Sequence, residues 1–407
     1  MSHAVVPKPI SHAVSTVLTA LTVSCLLSAC ASPAPPRAAA RPSAATTAPA
    51  APAAPPALPP PTGGRAVGAT VLYLKDASRA DPWVPEAKAR ELMVTLWYPA
   101  RTGTGTPAPY MSAKESELTL RGKRVTGAPS DVLSKVRTNA RTGAEPDGRT
   151  GGLPLVVLSP GFTLPRGTLT ALAEDLASHG YVVAGVDHAY ENYATTFPGG
   201  RVAACVACDS DTDPGFGPRV TDVRAADVSF VLDRLTGPDP AWPGSRLIDR
   251  SRIAMAGHSI GGAAAVAAML KDRRIRAGLD MDGTTYARIP EGGLSRPFLF
   301  LGSADHRPGG RDTSWDRDWR LLSGWKRWLT LPGADHQSFT DVPLLAGALG
   351  LGAPGSLGAA RPTQIVRAYV LAFLDLHLRG RPQPLLDGPS ARYPEVRFCA
   401  PGRKDCR

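Results

Sequence analysis

The hydrophobic positions of this chain fall into short apolar runs that alternate with amphipathic stretches. The apolar runs are typical of buried strands and cover residues 71–74, 92–98, 153–159, 181–187, 252–256, 277–281, 297–301 and 328–331. Apolar residues at helical spacing predict helices over 168–179, 221–235, 260–270 and 363–378. Strands that alternate with helices predict an α/β fold, with a mainly parallel central sheet and helices on both of its faces. Two stretches rich in turn-forming residues, 103–152 and 189–218, are predicted insertions.

The first thirty residues have a different pattern. Residues 14–29 are apolar over a length that is short for a membrane-spanning helix and typical of a signal peptide. They end in Leu-Ser-Ala-Cys at 27–30, which resembles the lipobox of bacterial lipoproteins, where the cysteine becomes the lipidated first residue. We therefore expect residues 1–30 to be a lipoprotein signal peptide and Cys30 to hold the protein at the membrane, outside the cytoplasm. An ordinary secretory signal, cleaved near Ala29 or Ala31, is the alternative.

The segment that follows is rich in alanine and proline. Residues 31–64 carry almost no apolar bulk, so we expect a semi-extended tether there, and a single catalytic domain from residue 65 to 407. The net charge is +11, but no lysine- or arginine-rich run accompanies it. A nucleic-acid partner is therefore not expected, and the arginines are interpreted as scattered and solvated.

The chain has six cysteines. Without Cys25, in the signal, and Cys30, in the lipobox, an even set of four remains. In an oxidising compartment this set predicts two local disulfides, Cys205–Cys208 and Cys399–Cys406. A redox or zinc pair is the alternative for Cys205 and Cys208, although no second C-x-x-C or histidine pair accompanies it.

The sequence Gly-His-Ser-Ile-Gly-Gly at 257–262 lies where a predicted strand changes into a predicted helix. G-x-S-x-G at such a junction is the pattern of a nucleophile elbow. Gly257 and Gly261 allow strand and helix to approach closely, and Ser259 is the predicted nucleophile at the carboxyl edge of the sheet. The backbone N–H of Ile260, at the start of the helix, is predicted to point toward an oxyanion.

A serine hydroxyl needs a base, and in α/β-hydrolases an acid and then a histidine follow the serine. The downstream histidines are His306, His336 and His377. His377 lies within the closing helix, where a packed or surface role is ordinary, and His306 is too early to follow every candidate acid. His336 lies in a loop after a predicted strand and is the predicted base.

Three aspartates lie at or near predicted strand ends and could orient that base. Asp280 is expected to point away from Asp282, because residues two apart share a face only inside a strand. Asp282 and Asp305 each follow a predicted strand. Geometry alone does not decide whether Asp282 or Asp305 is the acid.

Several segments bring the sequence close to a known family. They are LWYPA (96–100), LSPGF (158–162), EDLASHGYVVAGVDH (174–188), GHSIGGAAA (257–265), RIRAGLDMDG (274–283) and DHQSFTD (335–341). In this order, over roughly residues 67–380, they resemble the platelet-activating-factor acetylhydrolase family and its bacterial relatives among secreted α/β-hydrolases.

The resemblance implies roles for particular residues. It favours Asp282 as the acid, with Asp305 as the second choice, and it makes the backbone N–H of Phe162 the second oxyanion donor. Pro160 stands where many members have histidine, and the donor position itself is retained. The implied protein is an exported serine esterase for short-chain or oxidised acyl groups of phospholipids, or for small esters, that needs no metal or organic cofactor.

Two other functions remain open at this point. A polyester or cutin-type hydrolase, or a lipase, shares the elbow and export, although we expect those enzymes to carry the acid after the following strand. A catalytically silent lipoprotein that binds an envelope component is the alternative from another class.

Overall fold

The computed structural model describes residues 55–352, 355–402 and 406. The predicted signal peptide, Cys30 and the first part of the predicted tether lie outside these residues. Among the described helices, none is long and apolar enough to cross a bilayer.

Strands and helices alternate along most of the described chain. The strands are β1 (Ala66–Asp76), β2 (Arg90–Ala100), β3 (Thr106–Pro109), β4 (Arg137–Thr142), β5 (Leu153–Ser159), β6 (Val182–His188), β7 (Thr195–Thr196), β8 (Val202–Ala203), β9 (Ile248–His258), β10 (Ile275–Met281), β11 (Phe298–Ser303), β12 (Lys326–Leu331) and β13 (Arg397–Phe398). The helices are α1 (Ala113–Gly122), α2 (Thr170–Ser178), α3 (Phe216–Thr236), α4 (Ile260–Lys271), α5 (Ser314–Leu321), α6 (Val342–Ala348) and α7 (Arg361–Arg379).

Within the described residues the strands build one large sheet in the order β13-β12-β11-β10-β9-β5-β6-β2-β1-β4-β3, and β7 and β8 form a separate pair. From β6 to β12 all neighbours are parallel, whereas β1 pairs antiparallel with β2, and β2 with β6. Every residue of β5, β6 and β11 is buried. This burial is expected of parallel strands that helices cover on both sides.

Helices cover the two faces of the sheet in pairs. Apolar residues of α3 and α4 pack into one core cluster with inward-facing strand residues. Those of α2 and α7 pack into the other. The predicted α/β-hydrolase architecture, with helices on both faces of a mainly parallel sheet, is confirmed.

The two predicted insertions have structure of their own. Residues 103–152 contain β3, α1 and β4, and residues 189–218 contain β7, β8 and the start of α3. Both predicted disulfides are present, Cys205–Cys208 in the second insertion and Cys399–Cys406 beside β13.

The folded part begins earlier than the expected boundary at residue 65. Leu58 is buried with only 4% of its surface exposed, in a cluster with residues of the first insertion. Thr62 donates from both its backbone N–H and its hydroxyl to Asp175 Oδ1, at 2.7 and 2.9 Å. In the structure residues 55–64 therefore pack against the rest of the domain, through the Leu58 side chain and through hydrogen bonds of this segment.

Candidate active site

Ser259 lies on the sharp turn between β9 and α4. Its backbone has φ 56° and ψ −131°, a conformation that a residue with a side chain adopts only where the surrounding structure holds it. The turn needs glycine for close approach: a Cβ at Gly261 would lie 2.1 Å from the carbonyl oxygen of Ser159, and one at Gly257 would lie 2.3 Å from the backbone of Gly261. This is the geometry of a nucleophile elbow.

The structure brings Ser259, His336 and Asp282 together from three strand ends. His336 Nε2 lies 2.9 Å from Ser259 Oγ, and His336 Nδ1 lies 2.6 Å from Asp282 Oδ2. A carboxylate only accepts, so Nδ1 carries the ring hydrogen and Nε2 offers its lone pair to the serine hydroxyl. The His336 side chain is 48% exposed, whereas that of Asp282 is 3% exposed.

Asp282, and not Asp305, lies beside His336. Asp305 is exposed in a short 3₁₀ turn just after β11. Asp280 does not bind His336, in agreement with the expectation that it points away from Asp282. It accepts a hydrogen bond from Gly283 N at 2.9 Å. Burial, and then the neighbouring Asp282, raise the pKa of Asp280 well above its usual value.

The surroundings of Asp282 favour its carboxylate form. Burial alone would raise its pKa, but the hydrogen bond with His336, the nearby His306 and the N–H of Ser303 lower the pKa to about 2. Ser303 N donates to Oδ1 at 2.6 Å, which leaves Oδ2 for the imidazole. The carboxylate is thus charged and fixed in position where the base needs it.

Phe162 and Ile260 line the same cavity as Ser259, and their backbone N–H groups have no hydrogen-bond partner in the part of the chain that the structure describes. Among the described residues no protein atom accepts from Phe162 N or from Ile260 N, although their neighbours Thr163 N and Gly262 N are bonded. Free N–H groups at the start of a helix and on an adjoining loop are suited to an oxyanion. We call residues 159–163 the oxyanion loop.

His258 is a site residue that sequence reasoning missed. Its Nε2 donates to the backbone carbonyl of His336 at 2.7 Å, and the two rings lie 4.6 Å apart. Burial, followed by the effect of His336, lowers the pKa of His258 to about 3, so it remains neutral. The only signal in the sequence is its place beside the serine.

A cavity of about 520 Å³ opens over Ser259. Aromatic side chains of Phe162, Phe216 and Tyr286 form part of its lining, and charged residues form another part. Besides Asp282, the carboxylates and the guanidinium that line the cavity belong to Asp211, Asp305, Asp312 and Arg311. Asp211 and Phe216 belong to the second insertion and its junction with α3, which the sequence did not place at the site.

The parallel sheet with a serine elbow after its central strand β9 defines an α/β-hydrolase. Residues 58–201 and 245–381 match the family model described as platelet-activating factor acetylhydrolase, isoform II. The chain belongs to this family.

Individual relatives agree with that assignment. A probable 1-alkyl-2-acetylglycerophosphocholine esterase from Arthroderma benhamiae is 30% identical over 84% of this chain and 93% of its own length. The platelet-activating factor acetylhydrolase of Cavia porcellus is 24% identical, over 55% of this chain and 57% of its own. A solved ferulic acid esterase from Streptomyces cinnamoneus is 46% identical, covers 85% of this chain and 99% of its own, and superimposes with a TM-score of 0.76. The protein is accordingly a carboxylic ester hydrolase, as predicted.

Proposed function

We propose that the protein cleaves esters through an acyl-enzyme formed on Ser259, with His336 as base and Asp282 as its orienting acid. The observation that carries this proposal is the continuous hydrogen-bonded row from Ser259 Oγ through His336 to Asp282, at 2.9 and 2.6 Å. A neutral imidazole held this way accepts the serine proton as the oxygen attacks.

The steps follow from the positions of these groups. Ser259 Oγ bonds to the ester carbonyl carbon while its proton passes to His336 Nε2, and the N–H groups of Phe162 and Ile260 donate to the oxyanion. The intermediate collapses as His336 Nε2 returns the proton to the leaving alcohol. Water, deprotonated by His336, then attacks the acyl-enzyme, and the carboxylic acid and Ser259 are released.

For the substrate we propose short-chain or oxidised acyl esters, of phospholipids or of small alcohols. Membership of the acetylhydrolase family supports this class. The cavity of about 520 Å³ supports it too, since it has room for a small ester beside the serine.

A second candidate substrate is an aromatic acid ester. The 46% identical relative is a ferulic acid esterase, and the apolar wall of the cavity is aromatic. Phe162 and Phe216 meet edge to face with ring centroids 5.0 Å apart, an arrangement that can receive a further ring.

One experiment tests mechanism and substrate together. Hydrolysis is measured for 4-nitrophenyl esters from acetate to palmitate and for methyl ferulate, with Ser259→Ala as the blank. We expect serine-dependent turnover with a steep preference for acetyl or butyryl chains. A dominant rate on methyl ferulate would select the aromatic candidate, and a preference for long chains would select a lipase or polyester hydrolase. Equal rates for wild type and Ser259→Ala would overturn the mechanism, and no turnover by either protein would leave a silent binding protein.

We further propose that the protein acts outside the cytoplasm, held to the membrane through a lipid on Cys30. The two disulfides offer weak support, because disulfides persist in oxidising compartments. The test is cell fractionation: Cys30→Ser should move the protein from the membrane pellet to a soluble fraction, and an unchanged pellet would refute lipidation at Cys30.

A further inference from the structure

A second row of serine, histidine and aspartate begins at Ser159, the first residue of the oxyanion loop, and is buried. Ser159 Oγ is 3.0 Å from His188 Nε2, and His188 Nδ1 is 2.9 Å from Asp227 Oδ2. The order of atoms is that of Ser259, His336 and Asp282. Ser159 and Asp227 are fully buried and His188 is 1% exposed, so no ester reaches this serine. The row must therefore serve the structure around it.

The direction of each hydrogen bond in the row can be assigned. Burial would raise the pKa of Asp227, but the charge of Arg90 and the bond with His188 bring it below its usual value. Burial and then Arg224 lower the pKa of His188. A neutral His188 donates from Nδ1 to the carboxylate and accepts at Nε2 from the Ser159 hydroxyl. The Ser159 oxygen is then left as an acceptor.

Arg224, on α3, fills that acceptor position. Its Nη1 donates to Ser159 Oγ at 3.1 Å and also to the carbonyl oxygen of Pro160. Its Nε donates to Glu191 Oε2 at 2.7 Å. One guanidinium thus contacts the first two residues of the oxyanion loop and a carboxylate beyond it.

Glu191 holds the other end of the same loop. Its backbone carbonyl accepts from Thr163 N at 2.9 Å. Thr163 has φ 69°, a conformation that needs such external support. Phe162 lies between the two fixed ends, and within the described part of the chain nothing accepts from its N–H.

We propose that Arg224 is a positioning residue of the oxyanion hole. By fixing Ser159 and Pro160 directly, and Thr163 through Glu191, it sets the direction in which the Phe162 N–H points. The inference rests on the proposed function, because it gives Arg224 a task only if Phe162 donates to an oxyanion.

The test variant keeps the positive charge at position 224 and removes the planar guanidinium group. Arg224 is buried among charged groups, and a neutral replacement would leave Glu191 without its closest partner. Arg224→Lys retains the charge, but one ammonium cannot reach Ser159, Pro160 and Glu191 with the same geometry. The matched control is Arg79→Lys, since Arg79 binds Asp227 in the same network and does not contact the loop.

We expect Arg224→Lys to lower kcat for 4-nitrophenyl acetate by at least about tenfold while KM stays within about threefold, because oxyanion donors act in the transition state. Arg79→Lys should keep both constants within about twofold. Thermal unfolding of all three proteins shows whether the variants are folded at the assay temperature.

A thionoester separates positioning from general damage. Thiocarbonyl sulfur is a weaker hydrogen-bond acceptor than oxygen, so an intact oxyanion hole favours the ester over its thiono analogue. In Arg224→Lys this preference should shrink, whereas a loss caused by partial unfolding lowers both rates equally and leaves the ratio unchanged.

The outcomes distinguish this inference from the proposed function. If wild type shows no Ser259-dependent hydrolysis, the proposed function itself fails. If wild type is active and Arg224→Lys keeps either its kcat or its ester preference, the positioning role is refuted and the mechanism stands.

Discussion

His258 Nε2 donates to the backbone carbonyl oxygen of His336 at 2.7 Å, so the residue before the serine holds the residue proposed as its base. The bond crosses between the end of β9 and the loop after β12. It ties nucleophile and base to one another independently of the Asp282 contact.

The first prediction concerns this link. His258→Gln can place an amide N–H near the former Nε2, whereas His258→Asn is too short to reach the carbonyl. We expect His258→Asn to lose up to about a hundredfold in kcat, as small misplacements of catalytic groups do, and His258→Gln to lose clearly less. Steady-state kinetics on 4-nitrophenyl acetate measures both. Equal losses in the two variants would mean that the imidazole acts otherwise than by its Nε2 hydrogen bond.

The second prediction distinguishes the two candidate acids. In Asp282→Asn the amide oxygen keeps the Oδ1 position, where Ser303 N donates, so the amide N–H₂ faces His336 Nδ1. The required tautomer and the stabilisation of the imidazolium charge are then lost. We expect at least about a hundredfold loss in kcat. Asp305→Asn, exposed and away from His336, should stay within about twofold. The comparison uses kcat at pH 8, and a larger loss in Asp305→Asn would exchange the roles of the two residues.

The third prediction concerns Asp280, which is fully buried. Its pKa is raised in the folded state, so folding takes up a proton wherever the unfolded carboxyl is ionised. Its contribution to stability is therefore complete below about pH 3.9, the unfolded value, and is lost as the pH rises toward the folded pKa. Asparagine cannot ionise, so Asp280→Asn does not lose stability in this way as the pH rises. It should unfold at a higher temperature than wild type, by a margin that grows from pH 5 to pH 8.

A control for that experiment is Asp239→Asn, because the Asp239 side chain is 94% exposed. Its unfolding temperature should follow wild type at every pH. A margin for Asp280→Asn that is constant with pH would exclude the titration of Asp280 as its cause.

The fourth prediction concerns the Cys205–Cys208 disulfide. A loop this short stabilises by about 2 kcal/mol in the chain-entropy description. The double variant Cys205→Ser, Cys208→Ser should lose about that much and also raise KM, since Asp211 and Phe216 of the cavity wall follow closely in the chain. The matched pair Cys399→Ser, Cys406→Ser lies far along the chain and should change stability without changing KM. If KM is unchanged in the Cys205→Ser, Cys208→Ser variant, that disulfide does not shape the substrate cavity.

The sequence predicted most of the central sheet because its strands are buried on both faces and stand out as continuous apolar runs. The elbow was equally clear, because G-x-S-x-G stands where a predicted strand changes into a predicted helix. Asp282 needed the family resemblance, because two aspartates follow neighbouring strands and local pattern does not tell which one meets His336.

Contacts between distant segments could not be predicted. Arg224 resembles any arginine on an amphipathic helix, and its contact with Pro160 depends on how α3 crosses the sheet. The same holds for Leu58, whose burial depends on a pocket that the first insertion builds. Such pairs leave no periodic pattern in the chain.

The charge of the cavity wall bears on what happens after the chemistry. Besides Asp282, three carboxylates and one guanidinium line the cavity, on a protein whose net charge is +11. Ester cleavage releases a carboxylic acid that ionises at neutral pH, so the product then carries a charge of the same sign as these carboxylates. We expect repulsion by these carboxylates to favour release of the ionised product, so that added acetate should inhibit the enzyme only weakly.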